Sequence, residues 1–229
     1  MNHIPIITID GPAGSGKGTL CRLLAQYLGW NMLDSGATYR LLALAAEKQK
    51  FDLNDESALA ALTTSLHICF DVRIQGELSV YLDEEEVSLA LRTEECGKLA
   101  SQLSAFPAVR LAMLEKQRAF QQKPGLVTDG RDMGTIVFPE ADLKFFLIAR
   151  PEERAKRRYQ QLKEKGIDAN IAEILEELQI RDERDKNRSV APLRPAEDAF
   201  VLDSSTLSIE AVFEQAKALV AKAKKEKSF

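Results

Sequence analysis

Two histidines and three cysteines are all that a chain of 229 residues offers to soft-metal or thiol chemistry. His3 and His67 are far apart, and neither has a cysteine or a second histidine beside it. That pattern supports neither a histidine-based metal site nor a Ser-His-Asp triad. Cys21, Cys69 and Cys96 are odd in number and widely spaced, so they form no disulfide framework. They read as free thiols of a reducing compartment. Nor is there a run of roughly 18 apolar residues, so no membrane span is expected. The opening residues Met1-Asn2-His3-Ile4-Pro5 have no basic stretch ahead of an apolar one. No signal peptide is visible there, and the expected address is cytoplasmic. Charge of one sign is lacking too: 31 basic against 35 acidic residues leave a net of −4. Such a balance argues against a protein that coats nucleic acid. With 45% apolar and 29% charged residues, the composition is that of a folded chain and not a disordered one. The length fits one globular domain with a small appended lobe.

Periodicity organises the chain. Ile4 to Ile9 is a β-branched apolar run that stops at Asp10-Gly11, which predicts a buried strand. Leu20, Leu23, Leu24, Tyr27 and Leu28 recur at helical spacing, so a helix follows over Lys17 to Leu28. Asn31-Met32-Leu33 suits a second strand, with Asp34-Ser35-Gly36 before a helix from Thr38 to Gln49 and another from Asp55 to Thr64. Leu66 to Phe70 and Leu78 to Leu82 look like strands of a hairpin turning at Gln75-Gly76-Glu77. An antiparallel hairpin amid strand–helix alternation points to an inserted lobe. Thr93 to Gln122 is helical with a break at Pro107; Gly125 to Thr128, Leu143 to Ala149 and Phe200 to Leu202 are further strands. Pro151 opens a long helix towards Lys165-Gly166, Ile171 to Lys186 is helical, and a last helix runs from Ser208 to about Lys224. Trp30, Phe51, Phe145 and Phe146 are expected in the core. The alternation predicts an α/β fold with a doubly wound parallel sheet.

The sharpest local feature is Gly11-Pro12-Ala13-Gly14-Ser15-Gly16-Lys17-Gly18-Thr19, a G-x-x-x-x-G-K loop between a predicted strand and a predicted helix. Glycines let successive backbone N–H groups turn inward around an anion, and the helix start adds its positive end. Lys17 is placed to reach the β and γ phosphates of a nucleotide. Gly18 stands where the usual magnesium-binding Ser or Thr would be, with Thr19 next. A magnesium ion would then lean on phosphate oxygens and water, with a carboxylate nearby. Asp129, after the strand Leu126–Thr128, is that candidate carboxylate, acting through water; the competing reading is a plain turn Asp before Gly130.

The loop form G-x-x-G-x-G-K-G-T resembles the nucleoside monophosphate kinases. Three further blocks are very like the bacterial cytidylate kinase family: Leu33-Asp34-Ser35-Gly36-Ala37-Thr38-Tyr39-Arg40, then Thr128-Asp129-Gly130-Arg131-Asp132-Met133-Gly134-Thr135, and Arg181-Asp182-Glu183-Arg184-Asp185-Lys186-Asn187-Arg188. The resemblance spans essentially the whole chain, hairpin included. It implies transfer of a phosphoryl group from MgATP to CMP or dCMP, giving ADP and CDP or dCDP. It also implies a P-loop three-layer core with a parallel five-stranded sheet (about 1–62, 91–150 and 168–229), a monophosphate-binding lobe inserted at about 63–90, and a mobile lid at about 151–167. By matched motif, Ser35, Arg40, Ser101, Arg110, Arg131, Asp132, Arg181, Asp185 and Arg188 are expected at the acceptor nucleotide. Within that group Ser101, Arg110 and Asp132 would surround the cytosine, Asp185 the ribose, and Arg131 and Arg188 the phosphate. Tyr39 either packs beside the nucleotide or fills the core. A monomer is what the resemblance suggests.

Physical chemistry fits these roles. Two anionic nucleotides repel, so positioning and charge neutralisation carry such a reaction. Guanidinium groups suit the task, being permanently charged and bidentate toward phosphate. Eight of the 15 arginines fall between Arg150 and Arg194, a stretch with 12 basic and 10 acidic groups. Arg181, Arg184, Asp185 and Arg188 share one helix face, which for Arg184 reads first as solvated surface. Of Arg154, Arg157 and Arg158 on the lid helix, Arg157 is the one expected to reach ATP; a lid must exclude water from the γ-phosphate. An Asp carboxylate can accept from the cytosine amino group, which uracil lacks, so Asp132 is the expected discriminator. Three competing readings stay open here: a P-loop kinase for another small acceptor, a GTP-driven switch, and a nucleic-acid-dependent ATPase. The chain lacks an N-K-x-D guanine reader and an aromatic-interleaved basic stripe, which weighs against the last two.

Overall fold

The computed structural model describes residues 3–72, 78–164 and 166–227. Five parallel strands form the central sheet, in the order β2-β6-β1-β7-β8. They are β1 (Ile6–Asp10), β2 (Asn31–Asp34), β6 (Leu126–Gly130), β7 (Leu143–Ile148) and β8 (Phe200–Asp203). Every residue of β1 and β6 is buried, as expected for apolar runs covered on both faces. One face is sealed by α1 (Lys17–Leu28) and α8 (Ile209–Lys227), through Leu20, Leu24, Val212, Ala216 and Val220 packing on Ile7, Ile9, Phe145 and Leu147. On the other face Ile6, Leu33 and Leu126 meet Met133, Val137 and Phe138. The layered α/β core expected from the alternation is therefore present.

A second hydrophobic cluster lies beside the sheet. It joins α2 (Ser35–Lys48), α3 (Glu56–Ser65), α4 (Glu94–Leu103) and α5 (Pro107–Arg118) with a small antiparallel sheet. That sheet comprises β3 (Ile68–Val72), β4 (Leu78–Leu82) and a two-residue β5 (Glu85–Glu86). The hairpin is as expected, displaced by two residues in its first strand, and the added β5 was not foreseen. The predicted turn at Gln75-Gly76-Glu77 lies outside the described residues. The remaining helices, α6 (Pro151–Glu164) and α7 (Ile171–Asn187), pack on each other through Ala155, Leu162 and Ile174.

Two departures from expectation bear on function. Helix α2 begins at Ser35 and not Thr38, because the Asp34 carboxylate accepts the Ala37 N–H at 2.9 Å and caps the helix there. Between β6 and β7 stands a single π-helical turn, Met133–Val137, where periodicity predicts no element.

Candidate active site

Parallel packing brings three carboxylates to one edge. Asp34 lies opposite Asp129 in the β2–β6 register, and Asp10 opposite Gly130 in the β1–β6 register. All three sit at the carboxyl ends of strands, where open α/β sheets bind ligands. Asp129 is thus part of β6, which displaces the reading of it as a turn residue. Its Oδ1 is buried and has no hydrogen-bond partner among the described residues. Burial and the neighbouring Asp34 push its pKa up to about 8, against Lys17 and Arg131. Asp10 is pushed up to about 7, chiefly by burial, against the N–H groups of Gly134 and Met133 that it accepts.

The loop from Gly11 to Gly16 leaves β1 and enters α1. A side chain at Gly11 would put a Cβ 2.2 Å from the Leu147 carbonyl oxygen, so only glycine lets the loop leave the sheet here. Gly16 begins α1 in the left-handed region, at φ 94°. Lys17 Nζ donates to the Pro12 carbonyl at 3.3 Å, bending back over the loop. Burial and the Arg131 charge lower its pKa to about 7, opposed by Asp129 and Asp34. A Cβ on Gly18 would stand 3.9 Å from both Asp129 carboxylate oxygens. The carboxylate therefore occupies the region that a hydroxyl at this position would face.

Two cavities share this loop. One, about 270 Å³, is lined by the nine residues expected at the acceptor, Ser35, Arg40, Ser101, Arg110, Arg131, Asp132, Arg181, Asp185 and Arg188, and by Tyr39, whose place was open. The other, about 1220 Å³, is lined by Ala13 to Thr19 and by Arg157, with α6, α7 and α8 around it. Ala13, Gly14, Lys17 and Gly18 line both, as do Asp34, Arg40, Ser101 and Arg181. Gly11 and Pro12 line neither; they shape the loop from behind.

Within the smaller cavity the charges are paired. Arg110 and Asp132 form a buried ion pair. Arg110 also donates to the Ser104 carbonyl at 3.2 Å and lies 5.8 Å from the centroid of the Tyr39 ring. Tyr39 is therefore both a cavity wall and a packing platform. Arg131 Nε donates to Asp185 Oδ2 at 2.7 Å. Burial opposes charge on Asp185, yet Arg131, Arg181 and Arg188 outweigh it and hold its pKa below the usual carboxylate range. Arg188 Nη2 donates to the Ala191 carbonyl at 2.8 Å, and Arg40 Nη1 to those of Leu91 and Thr93 at 2.6 and 3.1 Å. Burial and the adjacent Arg131 lower Arg181 to about 10; its Nε, like that of Arg188, has no partner among the described residues.

The cytidylate kinase family model matches residues 7–222. The chain belongs to the cytidylate kinase family. It is 57% identical over 208 residues to a cytidylate kinase of Aeromonas hydrophila, covering 91% of this chain and 90% of that one. It is 56% identical over 227 residues to a cytidylate kinase of Photobacterium profundum, covering 99% of both. In fold alone it resembles an uncharacterised protein from Eubacterium ventriosum, at 12% identity and a TM-score of 0.51, over 95% of this chain and 98% of that one. The readings as a switch or a nucleic-acid-dependent ATPase fall with the family assignment.

Sequence reasoning overlooked three groups of this kinase. Arg154, for which surface charge and a contact to ATP stood level, is only 2% exposed and donates to the carbonyls of Ala13 and Ala149 and to Asp182. Arg184 is not merely solvated, since its Nη1 donates to Ser101 Oγ at 3.1 Å. Asp10 holds the turn after Asp132. Arg157 itself donates to the Ser204 carbonyl and hydroxyl. Among the described residues, no helix is long and apolar enough to cross a membrane.

Proposed function

We propose that this cytidylate kinase moves the γ-phosphoryl group of MgATP onto the phosphate of CMP or dCMP, in line, with the helical lid at about 151–167 closed over the reactants. The observation that carries this reading is the wall common to both cavities. A triphosphate wrapped by Ala13–Thr19 and a monophosphate in the arginine-lined cavity would meet at Lys17. Proximity of that kind is the main contribution a phosphotransferase can make. Lys17, Arg131 and Arg188 neutralise the charge that accumulates between donor and acceptor. Phosphate oxygens beside Lys17 restore the ammonium that burial disfavours. Arg181 keeps its buried Nε available for an anion.

The same cavity suits a cytidine. Asp132, held by Arg110, accepts the cytosine amino group, and Arg110 and Ser101 donate to the ring acceptors. Asp185 with Ser35 takes the ribose, and Tyr39 and Arg40 close the side of the cavity. The residues present would fit a magnesium ion bound with the nucleotide, since a hard cation prefers carboxylate and water. Asp129 would hold it through water with its unpartnered Oδ1. Bound there, the ion would withdraw charge from the transferring group. The enzyme's own part is to aim Lys17 and the arginines and to exclude water. Arg157 on α6 lines the donor cavity, and closure of the lid would carry it onto the triphosphate.

Steady-state assays with CMP and UMP test the reading. Lys17→Ala is expected to lower kcat by about 10²-fold or more with the fold intact. Asp132→Ala is expected to reduce the CMP-over-UMP preference in kcat/KM by about tenfold or more. Near-normal phosphorylation by the first variant, or an unchanged preference in the second, would overturn the corresponding assignment.

A further inference from the structure

Asp132 occupies an unusual place for an aspartate. It is the N-cap of the turn Met133–Val137, with φ −146° and ψ 20°. An Asp at an N-cap ordinarily folds its carboxylate back onto the N–H of the second or third residue of the turn. Here it makes no such bond, and its carboxylate is paired with Arg110 across the acceptor cavity. Of the two N–H groups it would cover, that of Gly134 is taken by another strand. Asp10, at the end of β1, accepts from Met133 N–H at 2.9 Å and from Gly134 N–H at 2.7 Å. Both residues are buried, each 4% exposed, so losing either set of bonds without a replacement is costly.

Gly134 is what allows this approach. A Cβ there would lie 2.8 Å from Thr8 Oγ1 and 3.4 Å from Asp10 Oδ2, so a side chain would push the turn away from β1. Three features thus agree: an N-cap Asp that does not cap, a second Asp from a neighbouring strand that does, and a glycine that admits it.

We infer that Asp10 is a positioning residue for acceptor recognition: by capping the 133–137 turn in place of Asp132, it leaves the Asp132 carboxylate free to hold Arg110 and read the base. The inference rests on the reading of Asp132 as the cytosine discriminator. It concerns the acceptor, although Asp10 directly precedes the phosphate loop. Without the Asp10 carboxylate, the N–H of Gly134 becomes available to Asp132, which turns from the cavity towards its own helix.

A double-mutant cycle tests this. The kcat/KM for CMP and for UMP, and KM for ATP, are measured for the wild type, Asp10→Ala, Asp132→Ala and the double variant. Asp10→Ala is expected to reduce the CMP-over-UMP ratio by about fivefold or more, with KM for ATP within about twofold of wild type. In the Asp132→Ala background, the same change is expected to cost less than about threefold in kcat/KM for CMP. Gly134→Ala, distant in sequence from the phosphate loop, is expected to follow the same pattern. It replaces Asp10→Ala in the cycle if the latter does not fold. An unchanged preference in Asp132→Ala alone would remove the discriminator reading and this inference with it. A lost preference in Asp132→Ala, together with an Asp10 or Gly134 effect that multiplies in full or falls mainly on ATP, would overturn the positioning role and leave the discriminator standing.

Discussion

Arg154 gives the most quantitative test of how the donor and acceptor elements are tied together. Its guanidinium lies in the interior, 2% exposed, on the first turns of α6. Nη1 donates to the Ala13 carbonyl at 2.9 Å and to Asp182 Oδ1 at 3.1 Å, Nε donates to the Ala149 carbonyl at 3.1 Å, and Nη2 pairs with Asp182 Oδ2. One side chain therefore joins the lid helix, the phosphate loop and the helix that carries Arg181, Asp185 and Arg188. Arg154→Ala leaves the Asp182 carboxylate, itself only 7% exposed, without its countercharge. Removing one partner of a buried pair typically costs about 3–5 kcal/mol. For a protein of this size each kcal/mol lowers Tm by about 2–4 °C, so the loss should be about 6–20 °C. A thermal melt followed by circular dichroism reads it directly. An apolar pair, Arg154→Met with Asp182→Leu, should recover most of that loss, because it removes both buried charges. It should not recover the KM for ATP, because the Ala13 carbonyl still lacks its donor. A fall in Tm of less than about 2 °C for Arg154→Ala would refute the reasoning, since it would mean that the guanidinium is satisfied by solvent.

What could be read from the sequence follows the range of each interaction. The loop from Gly11 to Lys17 was legible because its chemistry is local: strand, glycines, lysine and helix stand within a few residues of one another. The five core strands were legible as short apolar runs for the same reason. The ten acceptor residues were not, on composition or spacing; they come from α2, α4, α5, α7 and the end of β6, and only the family motifs pointed to them. Arg154 stayed undecided because nothing near it distinguishes it from Arg157 and Arg158. Its partners, Ala13 and Asp182, are 141 and 28 residues away. Asp10 was read as the end of a strand, although its bonds reach 123 and 124 residues along the chain. The early start of α2 is a different case: Asp34 carried a usable capping signal, an Asp whose carboxylate accepts the N–H three residues on. The turn at Met133–Val137 had no such signal, since a π turn follows neither the helical nor the strand period.

Two further outcomes follow from the site. A methyl group in Gly97→Ala would sit 2.7 Å from Arg40 Nη2. It should displace the guanidinium from the Leu91 and Thr93 carbonyls, raising KM for CMP several-fold. Equal KM values for CMP in variant and wild type would show that Arg40 is not needed where it stands. Asp129→Asn should abolish turnover yet stabilise the metal-free protein, increasingly so as pH rises. The sign follows from linkage. In the unfolded chain this carboxyl ionises near its model value of 3.8, but burial and Asp34 hold it protonated up to about 8 in the fold. Across that window the native state binds the extra proton, so native stability falls as pH rises. Asparagine has no proton to lose and escapes the penalty. At about 1.4 kcal/mol per pH unit, the variant's advantage in urea melts with EDTA should grow by about 3 kcal/mol between about pH 5 and pH 7.5. An advantage that stays flat over that range would mean that Asp129 is already ionised beside Lys17 at neutral pH, with the ammonium outweighing both burial and Asp34.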